Sequence, residues 1–442
     1  MCRAARTSCR GALARPGAVA SRTRPARGAA ESGGGSTSKA SVKKRRRAGG
    51  PAVLPAPSAL ARKALGPYAR GRVVAAAPGF PRLALDVPWD VFASQAVDEG
   101  TLLLLRHLPA DPPASLLDLG CGYGALGLPV AARWPSTRCV LVDRDLLAVA
   151  AAAHNASELG LQNVEVRPGL GYRELARERF DWVLCNVPAR IGPRAIRYLL
   201  EGGRALGAEV RAVIIRDLSA VVLALGLTGL VHVGRGARHD VFALPAAPAA
   251  IDLADEEVYA RDETEFAGLR LSRPYDASED PVHFRLLSLL AESLPRTAPA
   301  RALAFRAGYG ALPLHLKSRY TSCEVLAQDR DLLDTAFLRR NARRLRLDVA
   351  VRETLLPADG LLPESFPLVV GELSASAGPS VAARELGDGA RLLAPGGEAL
   401  ILASEKQERE WLPRAAPKNA ALTLLLRREG ASLLRISRPR AR

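Results

Sequence analysis

The sequence predicts an α/β protein built as two tandem, doubly wound domains behind a disordered basic tail. Two observations carry that prediction. One stretch recurs at a fixed offset, and each copy alternates apolar strand-like runs with helical ones. Gly122-Tyr123-Gly124-Ala125-Leu126 returns as Gly308-Tyr309-Gly310-Ala311-Leu312. Asp143-Arg144-Asp145-Leu146-Leu147 returns as Asp329-Arg330-Asp331-Leu332-Leu333, and Asn155-Ala156 as Asn341-Ala342. Pro88-Trp89-Asp90 matches Pro274-Tyr275-Asp276, again 186 positions on. A period of that length is too long for a solenoid unit and marks duplication of a whole domain.

In the first copy, Ser115–Leu119 reads as a strand ending in a Gly-rich turn, followed by a helix to about Arg133. Cys139–Val142 reads as the second strand and Leu146–Leu159 as a helix. Asn163–Arg167 and Asp181–Cys185 are the third and fourth strands. Val213–Ile215 is the fifth, and Leu230–Val233 with Val241–Leu244 read as a closing antiparallel pair. Strands separated by such helices imply right-handed crossovers and a mainly parallel sheet. In the second copy Ala399–Ala403 is strand-like. The expected boundaries are tail and linker at 1–60, a first domain at 61–250 and a second at 251–442.

Of the formal +17 charge, residues 1–50 hold +12, with 13 Lys and Arg against Glu31. The remaining 392 residues carry only +5. A segment of that composition cannot bury a core. It reads as a nonspecific RNA-binding arm, an incidental tail, or an organelle transit peptide. Residues 51–66, with three prolines, read as a linker. Six scattered cysteines without a CxxC pair argue against a zinc ribbon or disulfide framework and suit a reducing, cytoplasmic compartment. The histidines show no metal-ligand spacing, so no metal is expected. The most apolar stretch, Val221 to Val231, is about half of a membrane span, so no membrane partner is expected.

The motif Asp118-Leu-Gly120-Cys121-Gly122-Tyr-Gly124 follows a strand and opens a helix, which lets the backbone approach a ligand. Asp143, ending the next strand, suits the hydroxyls of a ribose. The turn also fits a dinucleotide fingerprint, with Ala125 as its last small residue. Two features favour S-adenosyl-L-methionine over a nicotinamide. An acid precedes the first glycine, which suits a cationic methionine moiety. The fourth strand also ends in Asn186-Val187-Pro188-Ala189.

On these residues the stretch from Asp90 to Leu244 resembles the small-domain class I methyltransferases, whose fold is Rossmann-like. It is most similar to the ribosomal RNA guanine-N2 methyltransferases, those of type C that act on the small ribosomal particle and those of type G that act on the large one. Phe92-Ala-Ser94 and Asp98-Glu-Gly100-Thr101-Leu-Leu stand where those enzymes carry an upstream Phe-Ser…Asp-x-Gly-Ser segment. The resemblance implies S-adenosylmethionine held by Asp118, Gly120, Cys121, Gly122, Gly124, Asp143 and Arg144. It implies methylation of an amine nitrogen of a base in RNA, with ribosomal RNA or a ribosomal subunit as partner. By the family's logic Asn186 and the Val187 carbonyl, aimed by Pro188, accept the amine hydrogens, while Phe92, Ala189 and Arg190 face the substrate. Arg190 and Arg194 are candidates for RNA phosphates.

The family's second loop residue, proline, is Val187 here, and its aromatic is Ala189. Gly169-Leu170-Gly171 replaces an acid near the adenine, and the intact copy is the first where the family's is usually the second. A protein or small-molecule acceptor, and a noncatalytic RNA-binding or ribosome-assembly factor, therefore stand as alternatives. In copy two Asp118 becomes Ala304, Gly120 becomes Arg306 and Asn186 becomes Glu372. Arg306 is expected to crowd the methionine pocket, leaving copy two degenerate. Arg339, Arg340, Arg343, Arg344 and Arg346 on one helix offer an RNA-facing surface. A chain ending near residue 250 is expected to bind the cofactor yet lose its natural target.

Overall fold

The computed structural model describes residues 54–277, 281–374, 376–411 and 420–440, so the basic run Lys43–Arg47 and the expected disordered tail lie outside the described residues. The described chain opens with helix α1 (Ala59–Leu65), where a linker was expected. Ser58 caps it by accepting from Ala61 N at 2.9 Å, and Ala61 and Leu65 are buried. The prolines at 55 and 57 stop before the cap, so they precede a helix rather than prevent one. A hairpin follows, β1 (Ala69–Ala75) and β2 (Leu83–Pro88), then α2 (Glu99–Arg106).

The first main sheet and its helices run β3 (Ser115–Leu119), α3 (Gly127–Arg133), β4 (Arg138–Asp143), α4 (Leu146–Glu158), β5 (Val164–Pro168), β6 (Trp182–Asn186), α5 (Pro193–Ala205), β7 (Glu209–Ile215), α6 (Arg216–Ala224), β8 (Val231–Arg235) and β9 (His239–Leu244). The second half repeats the plan. Hairpin β10 (Ala260–Phe266) and β11 (Leu269–Pro274) leads to α7 (Pro281–Glu292), β12 (Arg301–Phe305), α8 (Ala311–Arg319), β13 (Glu324–Asp329) and α9 (Leu332–Leu345). Then come β14 (Ala350–Glu353), β15 (Phe366–Glu372), α10 (Pro379–Leu392), β16 (Leu393–Ser404), β17 (Ala421–Arg428) and β18 (Ala431–Ser437).

The seven-stranded sheets have the same order, β5-β4-β3-β6-β7-β9-β8 and β14-β13-β12-β15-β16-β18-β17. Five strands of each are parallel, and the last hairpin closes the edge antiparallel. The strand order reverses between β3 and β6, so a crevice opens beyond the carboxyl ends of β3, β4 and β6, where doubly wound sheets bind ligands. The tandem doubly wound architecture read from the repeat is the one observed.

The halves share their cores. Leu333, Ala336 and Phe337 of α9 are buried in one cluster with Leu117, Val140, Tyr172 and Tyr198. Ala377 and Val381 join the cluster of Leu85, Leu104 and Leu116. The polar contacts between the halves are reciprocal. Arg144 meets Asp276 at 2.6 Å and Asp331 at 3.2 Å, while Arg330 meets Asp90 at 3.1 Å and Asp145 at 3.1 Å. Leu146 N donates to Arg330 O and Leu332 N to Arg144 O. Each pair maps onto the other by the 186-residue offset, so the interface has an internal pseudo-twofold.

Candidate functional site

The C-terminal end of β3 runs directly into the Gly-rich turn. Gly120 and Gly122 have φ of 78° and 56°, a region L side chains avoid. A Cβ at either position would meet nothing within 4 Å, so the space over the turn is open. At Gly124 a Cβ would come within 2.5 Å of Leu128 Cδ1, so that glycine lets α3 pack. Cys121 is buried, its Sγ directed at Gly122 O at 3.5 Å, and burial pushes its thiol well up, so its backbone is what it can offer a ligand.

Asp118 lies beneath the turn with 1 % of its surface exposed. Its Oδ2 accepts from Gly127 N at 2.8 Å. Burial pushes the carboxyl up to about 7 against the pull of that donor. Asp143 accepts from Gly122 N at 2.8 Å through Oδ2 and from Asp145 N at 2.9 Å through Oδ1. It therefore ties the end of β4 to the turn.

Asn186 ends β6, which pairs with β3. Its Nδ2 donates to Asp98 Oδ2 at 2.9 Å and to Thr101 Oγ1 at 3.1 Å. Asp98 also caps α2 by accepting from Thr101 N at 3.1 Å. With the amide nitrogen held this way, Oδ1 is the end left to accept. Sequence reasoning left Asp98 and Thr101 out of the site, although their segment was among the motifs. Val187 is buried, its N donating to Val213 O at 2.9 Å, while Pro188, Ala189 and Arg190 are exposed. Phe92 is 73 % exposed, in a loop joined to the turn by Tyr123 Oη donating to Ala93 O at 3.3 Å.

Arg144 departs from expectation. Its guanidinium is engaged by Asp276 and Asp331 across the interface, so its side chain serves packing between the halves. Arg306 departs too. At φ 47° it turns its guanidinium to Glu385, at 2.6 and 2.9 Å, and toward Asp90 at 3.3 Å. On one side it borders a cavity of only about 20 Å³ beside Asp329 and Leu356. On its other side Arg306 borders a cavity of about 170 Å³ together with Ala304, Gly308, His283 and Glu372. The basic helix α9 is largely neutralised: Arg339, Arg340 and Arg344 pair with Glu353, Glu257 and Glu263.

Elsewhere, Asp86, His154 and Glu158 converge. Arg72 and Ser58 N already occupy the Asp86 carboxylate, so the trio is a structural knot joining β1, β2 and α4.

Residues 84–204 match the family model of the methyltransferase small domain. A ribosomal RNA small subunit methyltransferase C of Pseudomonas putida is 39% identical over 102 residues, which is 23% of this chain and 30% of the relative. A ribosomal RNA large subunit methyltransferase G of Ectopseudomonas mendocina is 39% identical over 110 residues, 24% of this chain and 29% of the relative. The chain thus spans under a third of the length of these curated relatives. A T. thermophilus 16S rRNA N2 methyltransferase, solved in complex with AdoMet and guanosine, superimposes with a TM-score of 0.62 at 20% identity, covering 85% of this chain and 99% of that one. That likeness extends the fold over both halves.

Proposed function

We propose that this chain, with its methyltransferase small domain at residues 84–204, is an S-adenosylmethionine-dependent methyltransferase acting on an amine nitrogen of a base in ribosomal RNA, guanine N2 in kind. The observation that carries this reading is Asn186 at the end of β6, its amide nitrogen fixed by Asp98 and Thr101 and its Oδ1 left for an acceptor amine. The cofactor fits the residues present. Open space lies over Gly120 and Gly122, and Asp143 at the end of β4, bonded to Gly122 N, would take the ribose hydroxyls. The bound cofactor supplies an electrophilic methyl on a sulfonium.

Asn186 Oδ1 and the Val187 carbonyl accept the two amine hydrogens, which turns the nitrogen lone pair toward the methyl. Pro188 stiffens the loop that aims that carbonyl. Little proton transfer is needed before the bond forms, so the gain comes from orientation and from fixed dipoles. Exposed Phe92 supplies the flat apolar surface that Ala189 lacks. Copy two holds the first domain in shape, and the natural setting is the ribosomal RNA of the cytoplasm.

The test is transfer of labelled methyl to ribosomal subunits, and to RNA extracted from them, from a host lacking the gene. Label entering RNA and falling about a hundredfold or more with Asn186→Ala is expected, the scale of removing one preorganised polar group. Label found only in protein would overturn the RNA acceptor. No transfer together with no cofactor binding would leave a noncatalytic factor.

A further inference from the structure

The duplication supplies an internal reference, because equivalent positions make equivalent hydrogen bonds. Val187 N donates to Val213 O in the first half, and Leu373 N to Leu402 O in the second. Arg216 N donates to Arg238 O, and Glu405 N to Gly430 O. Gly192 and Gly378 both cap helices that start with proline. These anchors align the rims of the two crevices residue by residue. Arg190 falls on Ser376, Arg194 on Ser380, Arg216 on Glu405 and Arg238 on Gly430.

Four cations in the first half thus face no cation and one acid in the second. A fold-stabilising role would be needed equally in both halves, so the asymmetry follows the intact site instead. All four arginines are exposed. Among the described residues Arg190, Arg194 and Arg238 have no ion partner, and Arg216 reaches Gly236 O. The only acid in segments 187–194, 215–219 and 235–239 is Asp217. The strands place the group together. Asn186 pairs with Val213, and Ile215 with His239, so the four side chains border three neighbouring strands roughly 5 Å apart.

Resting on the methyltransferase reading above, we propose that Arg194, Arg216 and Arg238, with Arg190, form a track for the phosphodiester backbone of RNA beside Asn186. The helix with the densest arginines, α9, is not that surface, because three of its four are taken by Glu353, Glu257 and Glu263, and Arg346 lies beyond its end. Guanidinium groups suit the role, since they fork onto phosphate oxygens and stay charged.

The test measures binding of the full chain to a mixed-sequence single-stranded RNA across a salt series. Four proteins are compared: wild type, Arg194→Gln/Arg216→Gln/Arg238→Gln, Arg194→Gln/Arg238→Gln, and Arg343→Gln/Arg346→Gln. The triple variant is expected to bind roughly tenfold or more weakly at physiological salt, with a log–log salt slope shallower by about 0.7 per lost phosphate contact. Its affinity for S-adenosylhomocysteine and its Tm should be unchanged, as should RNA binding by the α9 variant. Arg194→Gln/Arg238→Gln, which leaves the Arg216 bond intact, should show the same trend. Wild-type affinity and slope in the triple variant, or loss confined to the α9 variant, would overturn the track alone. Wild-type protein that binds no RNA would overturn the RNA reading itself.

Discussion

Asp98 touches the proposed acceptor site only through Asn186, so it is a positioning residue. Asp98→Ala removes one of the two acceptors for Asn186 Nδ2, leaving only Thr101 Oγ1, and the cap of α2. The lost cap costs about 1 kcal/mol of stability, and a loosened Asn186 should lower kcat by roughly tenfold to a hundredfold while leaving S-adenosylhomocysteine affinity intact. Asp98→Asn keeps an acceptor oxygen and should recover most of kcat; failure to recover would mean that the charge, not the bond, matters. Asp118 gives a pH signature. Its carboxyl rises from 3.8 to about 7 through burial, so the folded state favours the protonated form. Its contribution to stability is whole below about pH 4 and is lost as pH climbs through 7. A ligand carrying an ammonium favours the ionised form, so S-adenosylhomocysteine affinity should rise with pH to about 7 and then level. Calorimetry on Asp118→Asn should give a flat, weaker profile, and a flat wild-type profile would detach Asp118 from the ligand. The duplication also shows which residues hold the turn itself together. Gly122, Asp143 and Asn155 keep their hydrogen bonds in copy two as Gly308, Asp329 and Asn341. Arg144 is likewise kept, as Arg330. Its retention in the altered copy was the available sign that its side chain packs between the halves.

At the scale of elements, the central strands were legible because they are buried on both faces and read as unbroken apolar runs. Ser115–Leu119 begins and ends where the pattern places it. The hairpins β1–β2 and β10–β11 escaped, because they are two-stranded sheets with polar residues spread along their exposed sides, such as Arg70, Arg72, Asp262 and Glu263. Yet they matter for the site, since the turn after each one crosses to the other half. Tyr275 fills the space where a Cβ of Gly192 would stand, and Trp89 does the same at Gly378. Gly192 caps α5 directly after the Asn186–Arg190 loop, so Tyr275 of copy two sets where that loop turns. Gly192→Ala should overpack this contact and destabilise by about 1–3 kcal/mol. Tyr275→Ala should leave the protein folded but lower methyl transfer. In the double variant the two costs should fall short of their sum, a coupling read from denaturant unfolding. Strict additivity would show that the loop does not lean on Tyr275.

For the molecule as a whole, the shared cores decide whether the halves are separable. The repeat suggests two independent domains, and an isolated first half that still binds cofactor. The packing argues otherwise. A chain ending near residue 250 loses Leu333, Ala336 and Phe337 from the cluster that holds Tyr172 and Tyr198. It also leaves Asp90, Asp145 and Arg144 without the partners that offset their burial. Burial alone would raise the Asp90 carboxyl, and Arg330 and Arg306 from copy two bring it below its usual value. Removing one buried aromatic costs about 3–5 kcal/mol, and a whole domain is stable by only about 5–15 kcal/mol. The truncated chain should therefore show no cooperative melting transition and bind no S-adenosylhomocysteine. Co-expressed with residues 251–442 it should assemble, melt as one unit and regain binding, because the reciprocal Arg144 and Arg330 contacts re-form between chains. A first half that melts cooperatively and binds alone would show that the interface is dispensable, and would return copy two to a role in choosing the substrate.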